Sequence, residues 1–142
     1  MRARSNGPTA GKIRRKRNMR NWIIAAAALV AVPGIVSAQD ADNGANIFKR
    51  CAACHQIGEG AKNGLGPHLD CIAGKPAGHV EGFNYSDAVK NSGIEWTDEN
   101  LLAWFEADDK LIKGNKMIFP AGIKNADDRA DLLAFIKTQC KE

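Results

Sequence analysis

Apolar residues recur at helical spacing in three parts of this 142-residue chain. The first predicted helix spans residues 42–54, and Asp42 or Asn43 can cap it because short polar side chains bond the free amides of a first turn. The second predicted helix starts at Thr97, and the third spans residues 125–139. The alternating pattern that is typical of strands is rare. The pattern therefore predicts an all-α fold with three main helices.

Each predicted helix has one apolar face that a core can bury. The face of the first helix consists of Gly44, Phe48 and Cys51. The second helix presents Leu101, Trp104 and Phe105, and the third presents Leu132, Leu133, Ile136 and Cys140. A further short helical turn is predicted at residues 86–91. Between the first two helices, residues 57–93 contain eight glycines and little periodicity. A loop of that length in a small domain is usually functional, and here it is expected to wrap a cofactor.

The first 38 residues differ from the rest of the chain. Residues 1–20 carry eight basic and no acidic side chains, residues 22–32 are apolar, and small residues follow at 36–38. This order is typical of a cleaved export signal. A retained membrane tether is the alternative, although the apolar run is short for a span of about 20 residues. We therefore predict a signal peptide at residues 1–38, a mature domain at residues 39–142 and no stable membrane insertion after cleavage.

Removing this leader reverses the charge balance. The whole chain has a net charge of +4 and an isoelectric point near 9.0. The remaining chain has 12 basic and 16 acidic residues, a net charge of −4. The high isoelectric point therefore describes the leader, and no nucleic-acid partner is predicted.

The sequence Cys51-Ala52-Ala53-Cys54-His55 has the C-x-x-C-H spacing of covalent haem attachment. Residues three and four apart share one face of a helical turn, so both thiols can reach one porphyrin while the imidazole points at its iron. A thioredoxin-like redox pair would need a βαβ pattern, which is not visible. A zinc site would need further ligands, for which only His68, Cys71 and His79 are candidates.

Met117 is the candidate for the second iron ligand. It lies in a loop punctuated by glycine and proline, and it is the only methionine outside the leader. A thioether paired with histidine favours Fe(II) and raises the reduction potential. Two alternatives stay open at this point: Met117 fills a gap in the core, or His68 or His79 replaces it on the iron.

These motifs together make the chain resemble the class I cytochromes c, closest to the mitochondrial and bacterial c2 type. The resemblance covers residues 42–142 and also rests on the segments 66–69, 82–88, 93–96, 116–119 and 129–135. It implies a small single-haem fold in which three helices and long loops surround one haem c, held by Cys51 and Cys54 and ligated by His55 and Met117.

The resemblance also implies roles for residues around the haem. The Pro67 carbonyl would accept a hydrogen bond from His55, Tyr85 and Trp96 would donate to a buried propionate, and Phe119 would cover the haem edge. Trp104 stands where the family has a tyrosine near the methionine, so one hydroxyl is lost there. On the family's fold Cys71 and Cys140 come close, and two leftover thiols in an exported protein suggest a disulfide.

The resemblance also implies a function. The protein would be a monomeric periplasmic carrier that accepts electrons from a quinol-oxidising cytochrome complex and passes them to an oxidase, a reaction centre or a reductase. Four lysines flank Met117 without an intervening acid: Lys110, Lys113, Lys116 and Lys124. They predict redox partners with acidic docking patches. A haem peroxidase or a gas-sensing module, active when Met117 dissociates, is the alternative. With both axial positions filled, we expect no enzymatic activity.

Overall fold

A computed structural model describes residues 39–141 of the chain, and the predicted leader lies outside these residues. Within the described range the elements are five helices: α1 at Ala41–Phe48, α2 at Asp87–Lys90, α3 at Asp98–Glu106, α4 at Asp108–Leu111 and α5 at Ala126–Thr138. The same range contains no strand and only one isolated antiparallel bridge, between Pro76 and Glu95. The prediction of an all-α fold is confirmed. None of these helices has the length and apolar character needed to cross a membrane.

Helix α1 differs from its prediction at both ends. Its cap is Asp40, whose carboxylate accepts from the amides of Asp42 and Asn43, so neither of those residues is the cap. The helix ends at Phe48 rather than at Cys54. The next three amides bond three residues back, as in Cys51 N to Phe48 O at 2.7 Å. This tightening ends the regular helix and places the attachment cysteines on hydrogen-bonded turns.

The first and last helices cross at Gly44. A Cβ atom at this position would lie 2.0 Å from the backbone oxygen of Asp131 on α5. Only a residue without a side chain permits so close an approach. Beside the crossing, Asn43 Nδ2 donates to the Asp131 carboxylate at 2.8 Å, and the rings of Phe48 and Phe135 are 5.4 Å apart. Helix α1 is therefore fixed to α5 just before the chain enters the cysteine motif.

The other helices follow the prediction more closely. Thr97 caps α3 and Asn125 caps α5, each accepting from an amide of the first turn. Helix α2 corresponds to the predicted turn at 86–91, whereas the four-residue α4 was not predicted. Leu101, Ile123, Leu132 and Ile136 form the centre of the core and are at most 2% exposed. Complete burial of such side chains stabilises a fold by about 1.5–3 kcal/mol each.

The glycine-rich segment runs from the cysteine motif to α3 and contains only α2 as regular structure. A disulfide joins Cys71 in this segment to Cys140 after α5, with the two Cα atoms 4.6 Å apart. The predicted disulfide is confirmed. It also removes Cys71 from the candidates for a zinc site, because a disulfide sulfur is not available as a thiolate ligand.

Candidate haem site

The cysteine motif forms one helical turn directly after α1. The amide of His55 donates to the carbonyl of Cys51 at 3.0 Å, which is the spacing of an α-helical bond. Cys51 is half-buried and Cys54 is exposed, and neither is in a disulfide. Burial raises the pKa of the Cys51 thiol, while the charge of Arg50 acts in the opposite direction. Both thiols are thus free and within one turn of each other, as attachment to a single porphyrin requires.

The imidazole of His55 is oriented by the segment that follows. Its Nδ1 lies 2.7 Å from the carbonyl oxygen of Pro67. A carbonyl can only accept, so Nδ1 carries the proton and Nε2 keeps its lone pair. Burial lowers the pKa of His55, and the bond to Pro67 partly offsets this. A neutral imidazole with a free Nε2 is the form that binds a metal.

Gly66 allows the ring to occupy this position. A Cβ atom on Gly66 would lie 2.3 Å from Cε1 of His55. The amide of Gly66 also donates to the Cys54 carbonyl at 2.8 Å, which ties the segment back to the motif. Gly66 lies in the segment 66–69 that carries the family resemblance, but the sequence alone assigns it no role. Its close approach to the ring shows that any larger residue would displace the histidine.

The Met117 loop lies between α4 and α5. The amide of Met117 donates to Oδ1 of Asn115 at 2.8 Å, and Asn115 Nδ2 donates to the carbonyl of Ile112 at 3.0 Å. Met117 is half-buried, whereas the next residue, Ile118, is 90% exposed. Asn115 therefore connects the methionine to the end of α4, a role that its sequence position alone did not reveal.

The predicted aromatic residues form two separate pairs. The rings of Trp96 and Trp104 meet edge to face with centroids 5.2 Å apart, and both pack against the core. Tyr85 meets Phe83 at 4.9 Å. Burial raises the pKa of the Tyr85 phenol, and a hydrogen bond with the Val80 backbone lowers it in part.

Phe119 contacts a cation rather than another ring. The guanidinium of Arg50 lies 5.3 Å from the Phe119 centroid, and it also donates to the Gly122 carbonyl at 3.2 Å. Arg50 follows α1, and Phe119 follows Met117 in its loop. This cation–π contact therefore joins the cysteine motif to the methionine loop.

The alternative histidine ligands are placed differently from His55. His79 Nδ1 contacts the Pro76 carbonyl at 3.1 Å, and burial lowers the pKa of His79. Nδ1 of His68 is buried without a hydrogen-bond partner. Across residues 39–141, no three side chains of histidine, cysteine, aspartate or glutamate converge as metal ligands.

The residues around the motif fit a covalently held haem. The chain offers two unpaired thiols on one turn, a neutral imidazole with a free Nε2 and a thioether donor in a loop. The imidazole also packs so closely against Gly66 that a Cβ atom at that position would overlap the ring. A soft sulfur and an imidazole nitrogen are the pair that haem iron accepts in electron-transfer sites.

Comparison with known sequences gives the same result. The sequence model of the family described as cytochrome c matches residues 41–139. The chain is 45% identical over 119 residues to cytochrome c2 of Blastochloris viridis. This alignment covers 84% of this chain and 93% of that protein. It is 48% identical over 99 residues to cytochrome c2 of Rhodoblastus acidophilus, which covers 70% and 92%.

Solved structures agree with these relatives. Cytochrome cH from Methylobacterium extorquens superposes with a TM-score of 0.65 at 40% identity, covering 70% of this chain and 98% of that one. Cytochrome c2 from Rhodospirillum centenum gives a TM-score of 0.67 at 31% identity, covering 72% and 99%. The chain therefore belongs to the cytochrome c family and is similar to its class I c2 members. It carries one haem c on Cys51 and Cys54 and acts as a haem-containing electron carrier with redox protein partners.

Proposed function

We propose that this chain is a monomeric periplasmic one-electron carrier whose haem iron is bound by His55 and Met117. The observation that carries the proposal is the 2.7 Å contact between His55 Nδ1 and the Pro67 carbonyl. This contact fixes the tautomer and the direction of the ring, and such outer partners raise the basicity of a ligating histidine. Haem iron supplies a one-electron redox couple when it is bound.

Met117 is proposed for the opposite side because its thioether is soft and uncharged. A neutral donor favours the reduced iron and raises the potential. The bond from the Met117 amide to Asn115 holds the backbone of the loop in place while leaving the sulfur free. His68 and His79 are weaker candidates, because neither ring packs against a glycine as the His55 ring packs against Gly66.

The chain itself excludes water and holds the surrounding polar groups. Leu101, Phe105 and Ile123 are buried, which keeps the dielectric constant low and the reorganisation of water small. We further propose that Tyr85 and Trp96 donate hydrogen bonds to a propionate. Trp104 packs on Trp96 and holds its indole, and Phe119, which contacts Arg50, would cover the haem edge.

The ligand assignment can be tested by spectroscopy on the oxidised holoprotein. An Fe(III)–sulfur bond gives a far-red charge-transfer band, which we expect in the native chain. Met117→Ala should lose this band and gain affinity for added imidazole, while the matched loop variant Ile118→Ala should keep it. A native protein without the band, or one that turns over peroxide rapidly, would instead support the peroxidase or gas-sensing function.

We propose that the partners dock on the basic surface around the Met117 loop. Lys113 and Lys116 are exposed there and form no ion pair within residues 39–141. Opposite charge on a partner would accelerate encounter, and salt would weaken the effect. Lys113→Glu with Lys116→Glu should slow electron transfer to an acidic partner at low ionic strength. Lys62→Glu with Lys90→Glu is a control of equal charge, and unchanged rates and salt slopes in the first pair would contradict this docking surface.

The proposed location depends on cleavage of residues 1–38. The expected mature chain begins near Gln39 and carries one haem and one disulfide. Intact mass of the purified holoprotein measures leader loss, haem addition and thiol oxidation together. A mass that retains the leader would favour a membrane-tethered carrier over a freely diffusing one.

A further inference from the structure

The disulfide between Cys71 and Cys140 is the one thiol-based redox group that haem attachment leaves in this chain. The sequence has four cysteines, and Cys51 and Cys54 carry the haem. A sulfur in a thioether bond neither forms a disulfide nor attacks one. The other two cysteines are both half-buried, so solvent reaches part of each residue. The electron-carrier function uses neither of them.

The backbone of Cys71 is strained. Its φ is +49°, and among residues 39–141 it is the only residue other than glycine with a positive φ. Side chains rarely adopt this conformation, which persists only where the surrounding structure enforces it. The bond to Cys140 is one such constraint, and opening it lets Cys71 relax. Strained or exposed disulfides are the more easily reduced ones, so this strain favours opening.

A polar cavity of about 330 Å³ lies beside the disulfide and is lined by the chain neighbours of both cysteines. The lining residues are Glu59, Gly60, Asp70, Gln139 and Lys141. Their charges distinguish the two sulfurs for an incoming thiolate. Asp70 directly precedes Cys71 and repels a thiolate, whereas Lys141 directly follows Cys140 and attracts it. A thiolate that enters here is therefore expected to attack Sγ of Cys140.

We propose that the Cys71–Cys140 disulfide is a redox switch, which a protein with a reactive dithiol opens by thiol–disulfide exchange. One thiolate of the partner bonds to Sγ of Cys140, the bond between the two sulfurs breaks, and Cys71 leaves as a thiolate that takes a proton from water. The second partner thiol, after losing its proton, then displaces Cys140, which is protonated in turn. The partner's two thiols become a disulfide and the chain gains two thiols, a transfer of two electrons and two protons.

The switch acts on the segment that orients His55. Cys71 lies four residues after Pro67, whose carbonyl oxygen is 2.7 Å from His55 Nδ1. Between them, the amide of Leu69 donates to the carbonyl of Gln56 at 2.8 Å. The disulfide ties the end of this segment to the residues after α5. Opening the disulfide leaves the segment with fewer constraints, and such segments open more often. The exchange goes beyond the electron-carrier function, whereas its effect on His55 rests on the proposed ligation.

The test uses the holoprotein with its iron already reduced, in the absence of oxygen, so that the haem takes no electrons from the dithiol. Reduced thioredoxin is the dithiol, and free thiols are alkylated and counted by intact mass. We expect an excess of thioredoxin to add two alkyl groups to the folded chain, at Cys71 and Cys140. Oxidised glutathione should close the bond again. Labelling that occurs only in denaturant would overturn the proposal, because the disulfide would then be purely structural.

Two lysine variants test the site of attack. Lys141→Gln should slow the exchange by about twofold, because one favourable charge near the attacked sulfur is lost. Lys90→Gln removes an exposed lysine elsewhere and should leave the rate unchanged. Equal rates for the native chain and Lys141→Gln would overturn the approach through this cavity.

Hydrogen exchange tests the effect on the histidine side. Opening the disulfide should raise the exchange rate of the Leu69 amide at least roughly tenfold, while the amide of Met117 in its separate loop should keep its rate. Replacing Cys71 and Cys140 with serine mimics the open state and should give the same pattern without a reductant. An unchanged Leu69 rate in both forms would overturn the switch. Failure of the carrier function is distinguishable, because it would appear as a missing far-red band in the untreated ferric protein.

Discussion

The segment around His55 and the loop around Met117 are held to very different degrees. On the histidine side, backbone bonds join Gly66 to Cys54 at 2.8 Å and Leu69 to Gln56 at 2.8 Å, in addition to the bond from His55 to Pro67. On the methionine side, Asn115 provides the main polar anchor, and Ile118 beside the ligand is 90% exposed.

This difference indicates which proposed iron bond opens more easily. Displacing His55 requires breaking several contacts that span residues 54–69. Displacing Met117 requires a local opening of a short loop, and segments with few contacts open at low free-energy cost. We therefore expect the histidine side and the methionine side to respond separately to substitution.

Loss of the disulfide should have the largest effect, and it should act on the histidine side. Replacing both Cys71 and Cys140 with serine frees the end of the segment that follows Pro67. The closed loop spans 69 residues of sequence separation, for which chain entropy gives about 4 kcal/mol of stability. Denaturant unfolding of the variant and of the reduced native protein should show the same loss, with the far-red band of the folded state unchanged. A loss far smaller than this would show that the unfolded chain gains little freedom.

Gly66→Ala should disturb the histidine directly. The new Cβ atom would overlap the His55 ring, and overpacking of this kind costs about 1–3 kcal/mol. We expect a lower haem content after maturation and loss of the His55 ring signals from their native positions. Gly114→Ala on the methionine side is the matched control, because its Cβ atom would lie 3.6 Å from Ala88 and only backbone strain is added. If the His55 signals are similar in both variants, the close packing of the ring against Gly66 does not position the histidine.

Asn115→Ala should weaken the methionine side alone. It removes the acceptor of the Met117 amide and a donor to Ile112, which should cost about 1 kcal/mol. Added imidazole should then displace Met117 about fivefold more readily. Asn63 makes a comparable pair of bonds on the other side, to Glu81 and His68. Asn63→Ala should lower stability without changing imidazole affinity, and equal effects of the two variants would contradict the separation of the two sides.

Acid should produce the smallest and most specific effect, at the crossing of α1 and α5. Hydrogen bonds from the Asn43 side chain and the Asp40 amide lower the pKa of Asp131 below its ordinary value of 3.8. A lowered carboxyl pKa adds stability above the ordinary value, and this stability is lost as the pH falls through the pKa of the folded chain. The difference in unfolding free energy between the native chain and Asp131→Asn should therefore narrow from about pH 5 to about pH 3. The difference should stay constant with pH if these bonds do not hold in solution.

The helix pattern predicted the fold well wherever a helix was long and locally capped. Helices α3 and α5 begin beside Thr97 and Asn125, where the pattern starts them, because the signals of these helix starts lie within one turn. The start of α1 differs from the prediction, because Asp40, Asp42 and Asn43 are all residue types that cap helices well. Asp40, the residue that caps the helix, also donates its backbone amide to the carboxylate of Asp131, which lies 91 residues further along the chain. A contact so distant in sequence is not visible in the local pattern.

The other differences arise from features that periodicity does not contain. Bonds between residues three apart and four apart place side chains on nearly the same face, so the end of α1 at Phe48 was not visible in the pattern. Helix α4 is only four residues long, too short for a periodic signal. The spacing of Cys51, Cys54 and His55 predicted the attachment motif, but the close approach of Gly66 to the His55 ring has no sequence signature.

The crossing at Gly44 has a consequence for the order of biosynthetic events. Its two halves come from opposite ends of the domain, so the crossing cannot close until Asp131 has left the ribosome. Until then Cys51 and Cys54 belong to a chain whose first helix lacks its docking surface. The two thiols are therefore most accessible before α5 docks on α1. The absence of a side chain at residue 44 then lets the two backbones approach closely enough to complete the domain.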